Sequence, residues 1–277
     1  MKKRKVEIAV ISDLHLGTYG CRANELVKYL KSIQPEMLIL NGDIIDIWQF
    51  SKRYWPKSHM QVIKEIIKLA ARDIPVYYLT GNHDELLRRF SDFSLGSFHL
   101  KDKLVLELDG KKAWFFHGDI FDASMKHAKW LAKLGAIGYD LLILINALVN
   151  WTLEKFGQKK MSFSRKVKES VKTAIKYIGD FEQIAAGLAI DQEYDYVICG
   201  HIHQAQHRII TGETGAVTYL NSGDWIESLT ALEYQKGEWS VFYFEETEDM
   251  IPGAQHTDFE EVESQETEDN EPVLLPA

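Results

Sequence analysis

The chain has 277 residues, 45% of them hydrophobic and 26% charged, enough for a full core; wholesale disorder and a fibrous repeat are excluded. The formal net charge of −9 misleads, because residues 245–277 hold 12 acidic residues and no Lys or Arg; the body before them is close to neutral, which argues against nucleic-acid binding. Cys21 and Cys199 match no zinc spacing or disulfide framework and suit a reducing compartment, and the longest apolar run, 141–149, contains Asn146 and is too short to cross a bilayer.

The chain opens with the basic run Met1-Lys-Lys-Arg-Lys5, but the apolar stretch behind it, 6–11, is too short for a targeting segment and contains Glu7. It reads as a buried strand. Apolar residues at three- and four-residue steps predict helices over 23–32 and 58–71. Strand-like runs follow at 37–40, 76–79, 104–108, 113–116, 196–199, 216–220, 229–234 and 239–244, most of them bounded by Gly, Asp or Asn. The first half therefore alternates β and α, the pattern of parallel β-α-β units, and the later, closely spaced strands add antiparallel pairs. Residues 124–190 lack strand signal and carry two long helical patterns, 124–156 and 164–190, broken at Gly157-Gln-Lys-Lys160. They read as a helical insertion on an α/β body spanning 1–244. The acidic remainder, 245–277, has the composition of a disordered tail.

Five short segments carry side chains that ligate metals, each just past a predicted strand: Asp13-Leu14-His15, Asn41-Gly42-Asp43, Gly81-Asn82-His83-Asp84, His117-Gly118-Asp119 and Gly200-His201-Ile202-His203. Residues beyond the C-terminal ends of parallel strands lie on the rim where α/β sheets bind ligands. In Asp13-x-His15 and His201-x-His203, the alternating side chains of an extended segment can point to one side. Singly, each segment has an ordinary explanation as a turn or cap. Together, in this order, they form a donor set of imidazole nitrogen, carboxylate oxygen and one amide oxygen. That set suits Mn²⁺, Fe²⁺ or Zn²⁺ and not an iron–sulfur cluster. Asp13, His15, Asp43, Asn82, His117, His201 and His203 are enough for two ions if Asp43 bridges, the arrangement used for in-line displacement at phosphorus.

The ordered set resembles the calcineurin-like metallophosphoesterase superfamily, whose pattern is Asp-x-His, Gly-Asp, Gly-Asn-His-Asp/Glu, His and Gly-His-x-His. The resemblance implies a β-sandwich flanked by helices, with a dinuclear site on loops at one edge. It implies a first metal on Asp13, His15, Asp43 and His203, and a second on Asp43, Asn82, His117 and His201. It makes His83 the catalytic histidine, with Asp84 orienting it.

Gly42-Asp43-Ile44-Ile45-Asp46-Ile47-Trp48 lacks the Arg-Gly that follows in protein Ser/Thr phosphatases. With His117-Gly118-Asp119, Asn221-Ser222-Gly223-Asp224-Trp225 and the helical insertion, it resembles the UDP-2,3-diacylglucosamine diphosphatase family. That likeness implies cleavage of a UDP-linked diacyl sugar to UMP and an acylated sugar phosphate in lipid A synthesis. It also implies Mn²⁺ and a place in the cytoplasm, peripheral on the inner membrane face. Members of that family carry Arg where this chain has His83. Hydrolysis of soluble nucleotide phosphoesters is the alternative, and a binding scaffold without turnover is a third reading. No protein partner is indicated.

The insertion is rich in apolar residues, among them Trp130, Leu131, Leu134, Leu141 and Ile145, and a helical cap of this kind could shelter acyl chains as well as pack on itself. Arg88, four residues past Asp84, is a candidate anion contact. Asp122, Ser164 and Arg165 are candidates for the polar groups of the substrate. Lys166, Lys168, Lys172 and Lys176 extend the basic side of the insertion. Trp225 reads either as a stacking platform or as core.

Overall fold

The computed structural model describes residues 3–49, 54–123 and 164–245, without the side chains of 122–123 and 164–175. The first helix of the expected cap, its apolar residues and nearly all of the acidic tail lie outside the described residues.

Two mixed sheets make the body. Seven strands form the first, in the order β12-β11-β1-β2-β3-β5-β4, and five form the second, in the order β6-β7-β8-β10-β9. In the first sheet β1 (Arg4–Ile11), β2 (Ile33–Asn41), β3 (Val76–Leu79) and β5 (Phe98–Lys101) run parallel. The antiparallel strands β11 (Thr230–Gln235), β12 (Glu238–Tyr243) and β4 (Ser94–Leu95) flank them. In the second sheet β7 (Lys111–Phe116), β8 (Tyr196–Cys199) and β10 (Ala216–Asn221) are parallel, and β6 (Lys103–Leu108) and β9 (Gln206–Thr211) close the edges antiparallel.

The strands that carry the site are buried on both faces, so they are continuous in Val, Ile and Leu and do not alternate. Ile8, Val10, Ile39 and Leu79 of the first sheet meet Phe115, Ile198 and Leu220 of the second in one cluster. Each such side chain, fully buried, stabilises the fold by ~1.5–3 kcal/mol. On the outer face of the first sheet lie α1 (Ala23–Ser32) and α2 (Lys57–Ala70). The apolar face of α1 is Ala23, Leu26, Val27 and Leu30, at helical spacing, and that of α2 includes Val62, Ile66 and Leu69. On the outer face of the second sheet lies α3 (Ser164–Asp191), whose Phe181, Ala185, Ala186 and Ala189 pack against Val197, Cys199 and Tyr219. The second half of α3 is thus part of the body's own core.

The architecture is the expected α/β sandwich with helices on both faces. Three strands lie outside the predicted runs: β4, β5 and β9. β9 is an edge strand with polar and exposed residues, Gln206-His-Arg, in its first half, and β4 has only two residues. Trp225 is fully buried against Tyr29 and Phe244, which settles it as core.

Candidate active site

Six parallel strands end at one rim of the sandwich, and every candidate ligand lies just past one of them. Asp13 and His15 follow β1, Asp43 follows β2, Asn82 follows β3, His117 follows β7, and His201 and His203 follow β8. The sixth strand, β10, leads to Asp224. Five of the seven ligands have left-handed backbone: Asp13 (φ 53°), His15 (49°), Asp43 (54°), His201 (71°) and His203 (55°). That conformation is uncommon for residues with a Cβ and collects at sites where function demands it.

The loops are pinned to one another. His15 N–H donates to the Asp43 carbonyl at 3.0 Å, and Asp13 N–H to the Gly42 carbonyl at 3.1 Å. Gly81 is required by closeness: a Cβ there would collide with the Asp43 carboxylate and approach the Asp43 backbone nitrogen to 2.6 Å.

Two clusters of ligand atoms result, Asp13–His15–His203 and Asp43–His117–His201, and a third group, His15–Asp43–His83, lies between them. Each carboxylate is half used by the protein. Asp13 Oδ2 accepts the His201 N–H (3.1 Å), and Oδ1 faces His203 Nε2 at 3.4 Å. Asp43 Oδ1 accepts the His83 N–H (2.8 Å), and Oδ2 lies 3.9 Å from His15 Nε2 and 3.2 Å from His117 Nε2. One oxygen of Asp43 therefore faces both clusters.

The imidazoles are oriented from behind. His117 Nδ1–H donates to the Asn41 carbonyl (2.9 Å), His15 Nδ1 lies 3.2 Å from Asp46 Oδ2, and His203 Nδ1 lies 3.1 Å from Asp224 Oδ2. His201 Nε2 lies 3.4 Å from the Tyr177 hydroxyl. An outward Nδ1 held by a carbonyl or carboxylate is how ligand histidines are fixed, with Nε2 presented to the ion.

Buried polar atoms without a hydrogen-bond partner gather in this region; the Asn41 side-chain amide and His83 Nδ1 are among them, and four more lie on candidate ligands. Asp13 Oδ1, His15 Nε2, Asn82 Oδ1 and His117 Nε2 are buried side-chain atoms without a hydrogen-bond partner among the described residues. Each belongs to a candidate ligand, and leaving such groups unpaired costs ~1–3 kcal/mol apiece. Divalent cations satisfy all four at once, so the donor set fits the group it is expected to hold.

Charge coupling matches this geometry. Burial opposes ionisation of Asp43, but His117, His15 and His83 hold its carboxyl well below the usual carboxylate range. Burial likewise opposes the charged form of His203, yet Asp13 and Asp224 push its pKa up to about 9. Despite its burial, His117 is raised by Asp43 and Asp13.

His83 stands at the mouth of the site, half-buried, with its ring 4.5 Å from that of His15 and 5.2 Å from that of Trp48. Its expected orienter is corrected. Asp84 does not face His83: its carboxylate accepts from Tyr78 Oη (2.6 Å), Gly81 N–H (2.6 Å) and Ile44 N–H (2.9 Å), stapling β3 to the β2 loop. Asp46 lies beside His83 instead, with Oδ2 2.9 Å from His83 Nδ1. The same oxygen faces His15. Burial of Asp46 is outweighed by its bonds to His15 and His83, which hold its carboxyl below the ordinary range. That partner, with Asp43, raises the pKa of His83 against the cost of its burial.

Asp46 and Asp224 thus join the site as partners of its histidines. Each lies in a segment whose pattern stood out in sequence, Asp46 past β2 and Asp224 past β10. Arg88 points its guanidinium at Asp119 (2.9 Å) and Asp102 (2.6 Å), tying the turn after His83 to the loop after His117. Asp122 sits in the 3₁₀ turn Asp119–Ala123, and Ser164 and Arg165 start α3; their side chains lie outside the described residues.

The family model for calcineurin-like phosphoesterases matches residues 6–205, most of the chain and every ligand segment. This chain belongs to the calcineurin-like phosphoesterase family. Its activity is the hydrolysis of a phosphoester bond, dependent on divalent metal. A UDP-2,3-diacylglucosamine hydrolase of Vibrio cholerae serotype O1 is 28% identical over 233 residues, covering 82% of this chain and 93% of that protein. The proteins of the same name from Aliivibrio fischeri and Neisseria gonorrhoeae are 24% and 25% identical, over 84% of this chain and 97% and 95% of theirs. Among solved structures, the E. coli phosphoesterase YfcE superposes with a TM-score of 0.42 at 12% identity, covering 88% of this chain and 94% of that one. No helix among the described residues is long and apolar enough to cross a membrane.

Proposed function

We propose that this phosphoesterase cleaves the pyrophosphate of a UDP-linked diacyl sugar, releasing UMP and an acylated sugar phosphate, with two Mn²⁺ ions in the paired clusters. One observation carries the dinuclear reading: the Asp43 oxygen that faces both His15 and His117. The substrate reading is supported by the relatives that bear the UDP-2,3-diacylglucosamine hydrolase name and align over more than four-fifths of this chain.

When bound, the two cations supply Lewis acidity: they lower the pKa of water by several units and neutralise phosphoryl oxygens. The protein's part is positional and protonic. Asp13, His15 and His203 would hold one ion, His117, His201 and Asn82 the other, and Asp43 would serve both. Asp46, 2.9 Å from His83 Nδ1, raises the pKa of that ring, so His83 can pass a proton to the leaving oxygen or offset the charge that develops there. Arg88 can meet a phosphoryl oxygen only by giving up one of its carboxylate partners. The insertion expected over 124–190, whose first part lies outside the described residues, is the candidate shelter for the acyl chains, and a peripheral contact with the cytoplasmic face of an anionic membrane goes with such a substrate.

His83 itself favours one second reading, a phosphodiesterase or phosphatase of soluble nucleotides, because it is the general phosphoesterase residue at this position. Purified enzyme with Mn²⁺, assayed against UDP-2,3-diacylglucosamine and a panel of plain nucleotides, separates the two. The expected result is UMP release with a preference above about tenfold in kcat/KM, or ~1.4 kcal/mol. A smaller preference removes the lipid substrate and leaves the nucleotide reading.

A further inference from the structure

The loop after β1 presents Asp13 and His15 along an unusual backbone path, in which Asp13, His15 and Gly17 all have positive φ (53°, 49° and 105°). Alternation of this kind does not hold itself, and most of its bonds run to the loop after β2. Asp13 N–H, His15 N–H and Leu16 N–H donate to the carbonyls of Gly42, Asp43 and Ile44 at 3.1, 3.0 and 2.9 Å, and Asp46 N–H returns a bond to the Leu16 carbonyl at 3.0 Å. Both partners in that exchange are ligand loops; beyond it, Leu14 and Leu16 are buried in the core of the first sheet and Trp225 N–H donates to the Asp13 carbonyl at 3.2 Å.

Gly17 is tied elsewhere. Its N–H donates to Nδ1 of His59, at 3.0 Å, and His59 belongs to α2. The His59 ring is 1% exposed and packs edge-on against Tyr54 and Trp55, with centroids 5.9 and 5.6 Å away. Its own backbone N–H is taken by the Pro56 carbonyl at 3.1 Å. A ring nitrogen that accepts an N–H carries no proton, so His59 is neutral with its proton on Nε2. Burial pushes its pKa down and keeps that acceptor available. Further along the same helix, Val62, Ile66 and Leu69 are anchored in the core of the first sheet.

We propose that His59 is a positioning residue for the metal-binding loop: through its bond to Gly17 it fixes to helix α2 the segment that presents Asp13 and His15 to the first cation. This rests on the two-cation reading of the site. His59 touches no ligand and no reacting group; it acts through the Gly17 amide.

The experiment is equilibrium dialysis of the folded full-length protein against Mn²⁺, with bound metal counted and thermal unfolding recorded alongside. His59→Leu keeps bulk and removes the acceptor; affinity for the first cation should fall about tenfold, at the lower end of what outer-shell partners contribute. His59→Asn places an amide oxygen near the Nδ1 position and should restore native affinity. His59→Gln carries its oxygen out toward the Nε2 position and should stay weak. A Leu variant that binds both ions as the wild type does overturns the proposal. So does equal affinity in the Asn and Gln variants, and that pair decides the matter if the Leu variant does not fold. Wild-type protein that takes only one ion per chain overturns the two-cation reading instead, and the Asn–Gln comparison then applies to that ion.

Discussion

Each half of the candidate cation site groups two imidazoles with a carboxylate, and the two pairs of imidazoles are braced in different ways. In the first half, His15 and His203 are backed by the carboxylates of Asp46 and Asp224. In the second, His117 is backed by the neutral Asn41 carbonyl, and His201 lies against the Tyr177 hydroxyl. A hydrogen-bonded acceptor behind an imidazole fixes its direction and raises its basicity; a carboxylate does so more strongly than a neutral carbonyl or hydroxyl, and adds negative charge near the ion. The difference teaches that the halves need not be equal. On the two-cation reading, the first half should hold its ion more tightly than the second, and the two should fill in that order.

Asp43 is the residue that makes this a comparison within one site. Asp43→Ala removes a ligand from both halves and should abolish measurable turnover, with metal content falling toward zero in elemental analysis. A variant that keeps two ions per chain would show that Asp43 bridges nothing. His83 tests the complementary point, that neither half depends on it. His83→Ala should lower kcat by ~10²–10⁴-fold, the usual worth of general acid help, while the metal content stays native. Turnover that falls only in proportion to lost metal would make His83 a ligand, not an acid.

The outer partners sharpen the contrast directly. Asp46→Asn and Asp224→Asn should each weaken the tighter of two Mn²⁺ binding steps by ~10–100-fold. Tyr177→Phe should touch only the weaker step, and by less. Stepwise titration followed by calorimetry reads both. If the Tyr177 variant weakens the tight step, the assignment of halves is reversed. Asp46 carries a second effect, since the oxygen that faces His15 also lies 2.9 Å from His83. Its variant should therefore lose kcat as well as affinity, and the Asp224 variant affinity alone.

Sequence adjacency explains both what could be read in advance and what could not. The candidate ligands were legible because each lies one to four residues past an apolar strand, so the local pattern points to the rim at Asp13, Asp43, Asn82, His117 and His201. The parallel β-α-β order followed from the same strands, since runs buried on both faces announce themselves by continuous apolar character; the sandwich came from the family resemblance. Relations between loops were not legible. Asp84 was expected to orient His83 because it is the next residue, but the backbone turns it inward to Tyr78 and Ile44, and Asp46, thirty-seven positions back, takes the place beside the ring. Arg88 read as a free cation near the site; its partners Asp102 and Asp119 come from other segments. β9 escaped because an edge strand is solvated on one side and needs no apolar run.

Protons give the mildest test of the inequality between halves. In the metal-free chain, Asp13 and Asp224 hold His203 at about 9, so at pH 7 it carries a proton that must leave before Nε2 can ligate. His117 is raised too, by Asp43 and Asp13. The sign follows. In metal-free protein His203 contributes stability that is fully present below the ordinary histidine pKa near 6.5 and lost as pH rises through about 9; His117 contributes in the same direction. Cation binding runs the other way, with protons released and affinity climbing about tenfold per pH unit for each proton expelled. Calorimetry at pH 7 in two buffers of different ionisation heat measures that release for each binding step. Both steps should expel a proton, because each half contains one raised histidine. Should only the tight step do so, the charge on Asp43 is spent wholly within the first half, and the second ion binds a histidine that was neutral from the start.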